Sequence, residues 1–365
     1  DPASITTQPA NAAVCAGSNT SFTVTAAGPS NTYQWQVSTD GGVTFNNVPG
    51  ATTATLNLNA VTAALNGNQY HLVITSCGPG AITSNNVTLT VNSPASISAQ
   101  PTNTNACTGT NTSFSVTAAG TGVTYQWQVS TNGGTSYSAI PGATSATLNL
   151  NAVTSGMNNN LYQVVVSSST CVATVTSSAA TLSISDPASI SAQPTGVTVC
   201  AGSNASFSVT AAGTNITYQW QVSTDGGTNF TDISGQTSAT LNLPAVTAAL
   251  NNNQYRVIVF SCNPTGLNST AVTLTVNSAA SIGTQPTNVS ACSGTDASFT
   301  VAATGTTLSY QWQVSTNGGT SYSTIPGATS ATLPLTGVTA VMNNNLYQVI
   351  VTSAACGTPV TSSGG

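Results

Sequence analysis

One five-residue stretch constrains the fold more than any other: Tyr33-Gln34-Trp35-Gln36-Val37. It returns as Tyr125 to Val129, Tyr218 to Val222 and Tyr310 to Val314. Tyr, Trp and Val alternate with the two Gln. A strand sends successive side chains to opposite faces, so the stretch reads as a β-strand with one buried and one wet face. The buried face carries the only Trp of each repeat. Such a residue brings roughly 150–250 Å² to a core, and truncating one to Ala typically costs about 3–5 kcal/mol. Trp35, Trp127, Trp220 and Trp312 are therefore expected to be core anchors rather than binding aromatics.

The Trp spacings are 92, 93 and 92 residues. That period is too long for a solenoid repeat and fits a small domain that builds its own core. Four domains are expected in tandem, at residues 1–93, 94–186, 187–278 and 279–365. In the first, short strands are expected over Ala3 to Gln8 and Ser21 to Ala26. They are followed by the Trp strand, a hairpin turn at Asp40-Gly41-Gly42, and a short strand carrying Phe45 and Val48. Leu56 and Leu58 form one inward row, Tyr70, Leu72 and Ile74 a second, and Val87, Leu89 and Val91 a third. Leu65 to Asn68 turns a corner between them. Seven or more short strands with a turn about every ten residues point to an antiparallel two-sheet sandwich. No stretch sustains the helical period that a parallel α/β fold requires.

Charge is nearly absent. Arg256 is the only cation, six Asp are the only acids, and there is no Lys or Glu. A chain with 2% charged residues has no basic patch for phosphates, so nucleic acid is excluded as a partner. No apolar run approaches the 18 or so residues of a spanning helix, so no membrane span is expected in this segment. Eight Cys fall two per repeat, at 15 and 77, 107 and 171, 200 and 262, and 292 and 356. No Cys-x-x-Cys occurs and there is one His, which argues against zinc. Eight cysteines allow about a hundred pairings in principle; the repeat favours one disulfide per domain, with separations of 62, 64, 62 and 64 residues. Disulfides imply an oxidising, extracytoplasmic setting.

The order of these features resembles the immunoglobulin-like fold. About 21 residues after the Trp comes Leu56-x-Leu58-x-x-Val61, and then Leu65 to Tyr70, which is similar to that family's tyrosine corner. In antibody domains the cysteines cross the core near the Trp; here those positions look like Val24 and Leu72. Cys15 and Cys77 lie several residues outside them, so each disulfide is expected to clip one end of its sandwich. The phrases Ser-Thr-Asp-Gly-Gly, Pro-Gly-Ala-Thr and Ala-Thr-Leu resemble bacterial immunoglobulin-like repeats of large secreted surface proteins of the Bacteroidetes type. The resemblance implies an extracellular cell-surface array, structural or adhesive. Fold alone would not license that step.

A second period runs through the chain. Ser-Thr-Asp-Gly-Gly stands at 38 and 223, and Ser-Thr-Asn-Gly-Gly-Thr-Ser-Tyr-Ser at 130 and 315, each 185 residues apart. The repeating unit is thus a pair of domains. The joints are short: Asn92-Ser93-Pro94, Ser185-Asp186-Pro187 and Asn277-Ser278-Ala279. They favour a semi-rigid rod over beads on a flexible tether. Shifted by 185, domain 4 has no counterpart of Thr181 to Ser185, the end of domain 2's last strand. Either the residues are a window on a longer array, or a neighbouring chain supplies a strand to an open edge.

Chemistry-bearing residues are few. His71 aligns with Arg256, and with Gln163 and Gln348 in the sister domains, as an outward strand residue without a nucleophile beside it. The Asp are scattered, and Asp40 becomes Asn132 and Asn317, which fits turn residues rather than a calcium cage. Leu333-Pro334-Leu335-Thr336-Gly337 matches a sortase signal but occupies the strand position of Leu56 to Leu58. Self-made isopeptide bonds need Lys, and there is none. The expectation is no catalytic residue, no metal and no cofactor. The chain is expected to be a structural segment of a bacterial surface stalk or filament that self-associates or belongs to a longer array. The alternative is an adhesin whose loops grip a glycan or host protein.

Overall fold

Alternating rows need a second sheet to bury them, and the chain supplies one in every repeat. The computed structural model describes residues 2–78 and 80–365. It is all-β: four immunoglobulin-like sandwiches, two in each of two compact units, residues 1–185 and 186–365. Each unit is described by itself.

In domain 1 the strands are β1 (Ser4–Thr7), β2 (Ala12–Cys15), β3 (Thr20–Thr23), β4 (Thr25–Ala27), β5 (Thr32–Ser38), β6 (Asn46–Asn47), β7 (Thr55–Leu58), β8 (Gln69–Thr75), β9 (Ile82–Thr83) and β10 (Val87–Asn92). β5 and β8 pair antiparallel along their whole length, Tyr33 opposite Ile74 and Trp35 opposite Leu72. This pair, with β2, β6, β9 and β10, forms the larger, six-stranded sheet. β1 with β4 and β3 with β7 close the other face. A single turn of 3-10 helix, Ala63–Leu65, makes the corner. Between the layers lie Phe22, Val24, Trp35, Leu56, Val61, Tyr70, Leu72, Ile74, Val87, Leu89 and Val91, all buried.

The Trp side chains are fully enclosed in all four domains. A buried indole N–H has to find an acceptor. Here it donates to a backbone carbonyl 18 residues on: Thr53, Ser145, Ser238 and Ser330, at 3.1, 2.9, 2.9 and 2.9 Å. The Gln before each Trp folds back to hold two more carbonyls, as Gln34 does for Trp35 and Val48. The strand that organises the sequence thus also ties down the connection between β6 and β7.

One pairing is parallel. β10 runs beside β2 in the same direction, Leu89 opposite Ala12 and Asn92 opposite Cys15. The consequence for the cysteines is decisive. Because β2 and β10 end together, Cys15 lies at the trailing end of the domain, where the chain leaves. β8 runs antiparallel to β10, so Cys77, just past β8, lies at the leading end. There Ser76 Oγ accepts the N–H of Ala3 at 3.1 Å. A seven-residue strand spans roughly 23 Å, and a disulfide needs Cα atoms about 4.4–6.8 Å apart. The pairings expected from the repeat, Cys15 with Cys77, Cys107 with Cys171, Cys200 with Cys262 and Cys292 with Cys356, are therefore all corrected. Cys15 bonds Cys171 and Cys200 bonds Cys356, each with a Cα–Cα distance of 5.8 Å. Cys107 and Cys262 are disulfide-bonded as well. Cys77 and Cys292 are free thiols, not disulfide partners.

Domains 2 and 3 repeat the six-stranded sheet of domain 1; in domain 4 the sheet has four strands, Ser323–Thr324, Leu308–Ser315, Leu346–Ser353 and Val360–Thr361.

Candidate functional site

The residues that do most beyond folding a single sandwich meet at the joint between the domains of each unit. In residues 1–185 the joint begins where β10 ends. Asn92 O accepts the N–H of Ala16 at 2.8 Å, fixing the end of β2 to the end of β10. The next residue, Ser93, is gripped by domain 2. Its N–H donates to Thr121 Oγ1 and its carbonyl accepts the N–H of Thr121, both at 2.9 Å. Ser168 Oγ donates to Thr121 O at 2.6 Å and accepts the N–H of Cys171 at 3.2 Å. The same loop that clasps the joint therefore presents Cys171 to Cys15. Cys171 is buried, with its Sγ 3.7 Å from Asn92 O.

Residues 186–365 build the same joint from equivalent residues of the same types. Ser278 and Thr306 exchange the paired hydrogen bonds at 2.9 and 3.0 Å. Ser353 Oγ donates to Thr306 O at 2.6 Å, and Ala201 N–H holds Asn277 O at 2.8 Å. Pro94 of the first joint is replaced by Ala279 without altering the clasp, so the rigidity does not come from proline. It comes from close backbone approach. Gly120 and Gly305 sit at φ 140° and 146°, and a Cβ on either would lie 2.8–2.9 Å from the carbonyl oxygen of Pro94 or Ala279. Only glycine fits there.

Each of these joints is thus crossed twice by covalent bonds, once by the backbone and once by a disulfide, with a hydrogen-bonded clasp between. A hinge with two covalent ties loses most of its bending freedom. Each bridge closes a loop with a sequence separation of 156 residues. On the chain-entropy model that removes unfolded-state freedom worth roughly 5 kcal/mol. Sequence reasoning missed Thr121, Ser168, Thr306 and Ser353, which look like ordinary turn and strand-end residues.

The other flagged residues lie elsewhere. His71 is half-buried on the outer face of the larger sheet, stacked on Phe45 at 4.0 Å and hydrogen-bonded to Gln36 and Asn86. At the matching place in domain 3, Arg256 lies over Phe230 at 4.0 Å and donates to Gln221. In domains 2 and 4 the place holds Gln163 to Gln128 and Gln348 to Gln313 hydrogen bonds. This is a cross-strand pair in which a Gln of the Trp strand meets His, Arg or Gln. Asp40 closes its turn. The hydroxyl of Ser38, then the hydroxyl and N–H of Thr44 donate to it, holding its carboxyl well below the usual range. Asp225 is held at about 2, first by the N–H of Asn229 and then by the hydroxyl of Ser223. Leu333 and Leu335 lie in the strand Thr332–Leu335, with Leu333 buried. Among the described residues no group of three or more His, Cys, Asp or Glu could hold a metal ion, and no helix is long and apolar enough to cross a membrane.

A family model described as a domain of unknown function, DUF8696, matches four times, at residues 4–93, 96–186, 188–278 and 281–364. Endoglucanase C of Cellulomonas fimi is 38% identical over 168 residues. That match covers 45% of this chain and 15% of the relative, so the chain spans a small part of the enzyme's length. Among solved structures, the titin I-band fragment I67-I69 aligns with 76% of this chain and 99% of its own, at 14% identity and a TM-score of 0.45. Sidekick-1 immunoglobulin domains 1–5 align with 96% and 78%, at 16% identity and a TM-score of 0.42.

Proposed function

The chain belongs to the DUF8696 family, of which it carries four tandem copies, and from that premise we propose that it is a structural segment of an extracellular bacterial surface stalk or filament. The observation that carries the reading is the placement of the disulfides. Cys15–Cys171 and Cys200–Cys356 tie neighbouring domains together rather than closing single ones. A bridge inside a domain protects that domain; a bridge across a joint stiffens the array. Binding proteins keep variable loops at the sandwich ends, whereas here the ends that meet at the two joints are engaged in clasping neighbours.

Two further properties support the reading. Disulfides persist in oxidising compartments, which favours a secreted, cell-surface setting. A surface with almost no charge leaves little for salt to screen or for pH to titrate. Such a segment holds its stiffness in a changing medium.

Force spectroscopy on the whole chain tests the proposal. Pulled from its ends while oxidised, the chain should withhold the stretches between Cys15 and Cys171 and between Cys200 and Cys356. Reduction should release domain-sized steps of roughly 300 Å each, the reach of about 90 extended residues. Identical step patterns with and without reductant would reject the bracing role.

A further inference from the structure

Domain 3 carries on the side of its sandwich a feature its sisters lack. The larger sheet turns one face to the core and the other outward. On the outer face Arg256, Ile258 and Phe260 form a half-buried row along the strand Gln254–Phe260. Phe260 stands opposite Thr217. At the matching place the other three domains have Thr75, Ser167 and Thr352, opposite Thr32, Thr124 and Ser309. Three copies of the fold thus do without an aromatic ring here, so folding does not require one. The ring is nevertheless seated. A Cβ on Gly266 would lie 2.9 Å from Phe260 Cδ1 and 2.5 Å from Ile258 Cγ2, so the loop after the strand closes on both only because residue 266 is glycine.

Beside Phe260 the outer face opens into a cleft of about 740 Å³, lined by Ile216, Tyr218, Gln219, Asp232, Thr237 and Phe260 among others. That lies within the roughly 300–1,000 Å³ of small-ligand sites. Shifted by 185, domain 1 has Asn31, Asn47 and Thr75 in place of Ile216, Asp232 and Phe260. Domain 3 has therefore gained two apolar side chains and one carboxylate in one place. Gln219 uses its amide N–H groups on the carbonyls of Trp220 and Ile233, both at 2.9 Å, and so offers the cleft an acceptor. Asp232 is exposed. Its Oδ1 accepts Gln221 Nε2 at 2.8 Å, and among the described residues its Oδ2 has no partner. Gln221, itself buried, accepts Arg256 Nε–H at 2.8 Å, and Arg256 lies over Phe230. One acid and one base are thus held in a fixed row, and their charges cancel.

These groups specify an occupant. A ligand of either sign would meet one attracting and one repelling charge, so the site selects a neutral molecule. A carboxylate, an amide oxygen and the hydroxyls of Thr237 and Ser238 match a molecule dense in O–H groups. Phe260, Tyr218 and Ile216 match an apolar face on the same molecule. A peptide would need a backbone edge to pair with, and the strand beside the cleft, Thr231–Asp232, is two residues long. A sugar ring has both properties, with hydroxyls round its rim and C–H bonds on its face. We propose that this cleft of domain 3 binds a neutral polysaccharide chain, with sugar rings on Phe260 and their hydroxyls on Asp232 and Gln219. The site is separate from the joints and gives one repeat of a structural segment a ligand of its own.

Saturation-transfer NMR on the whole chain tests this. The neutral probes are cellopentaose, xylopentaose, mannopentaose, maltopentaose and penta-N-acetylchitopentaose, and pentagalacturonate is the acidic one. At up to about 10 mM sugar, which still registers millimolar affinity, at least one neutral probe should take up saturation at its ring C–H protons. Two variants install the residue that domain 1 carries, Phe260→Thr and Asp232→Asn, so both side chains are compatible with the fold and the melting temperature should match the parent's. Phe260→Thr should weaken binding roughly fivefold or more, the least expected of an aromatic anchor, and Asp232→Asn by a smaller factor. His71→Gln, on the same face of domain 1, should change nothing. Absence of transfer to every neutral probe overturns the proposal, as does binding that survives either domain 3 substitution unchanged or that prefers the acidic probe. The force experiment above reads neither side chain, so the bracing role stands or falls separately.

Discussion

Domains 2 and 4 carry the same turn, the same Trp strand and the same corner, yet their sheets differ. In domain 2 the strand Ala180–Ser185 pairs with Leu161–Ser168 on one side and with Thr104–Cys107 on the other. In domain 4 the residues equivalent to Thr104–Cys107 form no strand, and a groove lies beside them. The stretch, Thr104 to Cys107 in domain 2 and Val289 to Cys292 in domain 4, has no alternation of its own. It becomes a strand only as the partner of the last one. That last strand also brings Ala180 and Leu182 into the core, and the cluster of domain 4 has no counterpart of this row. One strand thus completes the core, orders the first edge and positions the trailing-end cysteine. The bracing of an array depends on it.

The comparison breaks or sharpens most strongly on domain 4. Appending Thr-Leu-Ser-Ile-Ser after Gly365 restores the Leu and Ile of the missing row. At about 1.5–3 kcal/mol for a fully buried aliphatic side chain, a Leu matching the buried Leu182 and an Ile matching the partly buried Ile184 should together add about 2–4 kcal/mol. Hydrogen exchange of peptides from residues 346–353, in the sheet that the strand would join, should slow accordingly. Unchanged exchange would mean that the sheet does not need the strand. The converse change weakens domain 2. Leu182 is fully buried, and Leu182→Ala should cost about 2–5 kcal/mol, confined to domain 2 peptides. An effect under about 1 kcal/mol would make the last strand peripheral and remove the basis of the contrast.

The smallest effect concerns the turns, where domains 1 and 3 carry Asp and domains 2 and 4 Asn. Folding lowers the pKa of Asp225 from 3.8 to about 2. A depressed carboxyl contributes stability that is fully present above its unfolded value and lost as pH falls toward its folded value. Domain 3 should therefore weaken between about pH 4 and pH 2 relative to its Asn-bearing sisters. Asp225→Asn should flatten that acid limb, since Asn132 and Asn317 hold the same turn through Ser136 and Ser321. Acid titration of the variant, read by exchange in domain 3, checks the sign.

Much of this was legible in the residues. The Tyr-x-Trp-x-Val alternation located the central strand, and the inward rows Tyr70-Leu72-Ile74 and Val87-Leu89-Val91 are buried or nearly so along their length. Period-two patterning is a local signal, and it survives in a single sequence. The cysteines were a different kind of problem. Which one Cys15 meets depends on which end of the sandwich each strand reaches, and that follows from the parallel pairing of β2 with β10. Ala12–Cys15 is four residues long and carries no pattern, so nothing local announced it. The tandem repeat made the nearest cysteine look like the natural partner, although the fold places it at the far end. The clasp formed by Thr121 and Ser168 was hidden for the same reason: polar residues at strand ends are common, and only the neighbouring domain gives these two a task.

The stiffness of the array depends on covalent bridges that cross the joints. Non-reducing proteolysis with pepsin, followed by mass spectrometry of the linked peptides, tests it most directly, because a chain with one Arg and no Lys gives trypsin almost nothing to cut. Peptides joining Cys15 to Cys171 and Cys200 to Cys356 are expected, with Cys77 and Cys292 recovered as alkylated thiols. Peptides joining Cys15 to Cys77 and Cys200 to Cys262 would contradict it.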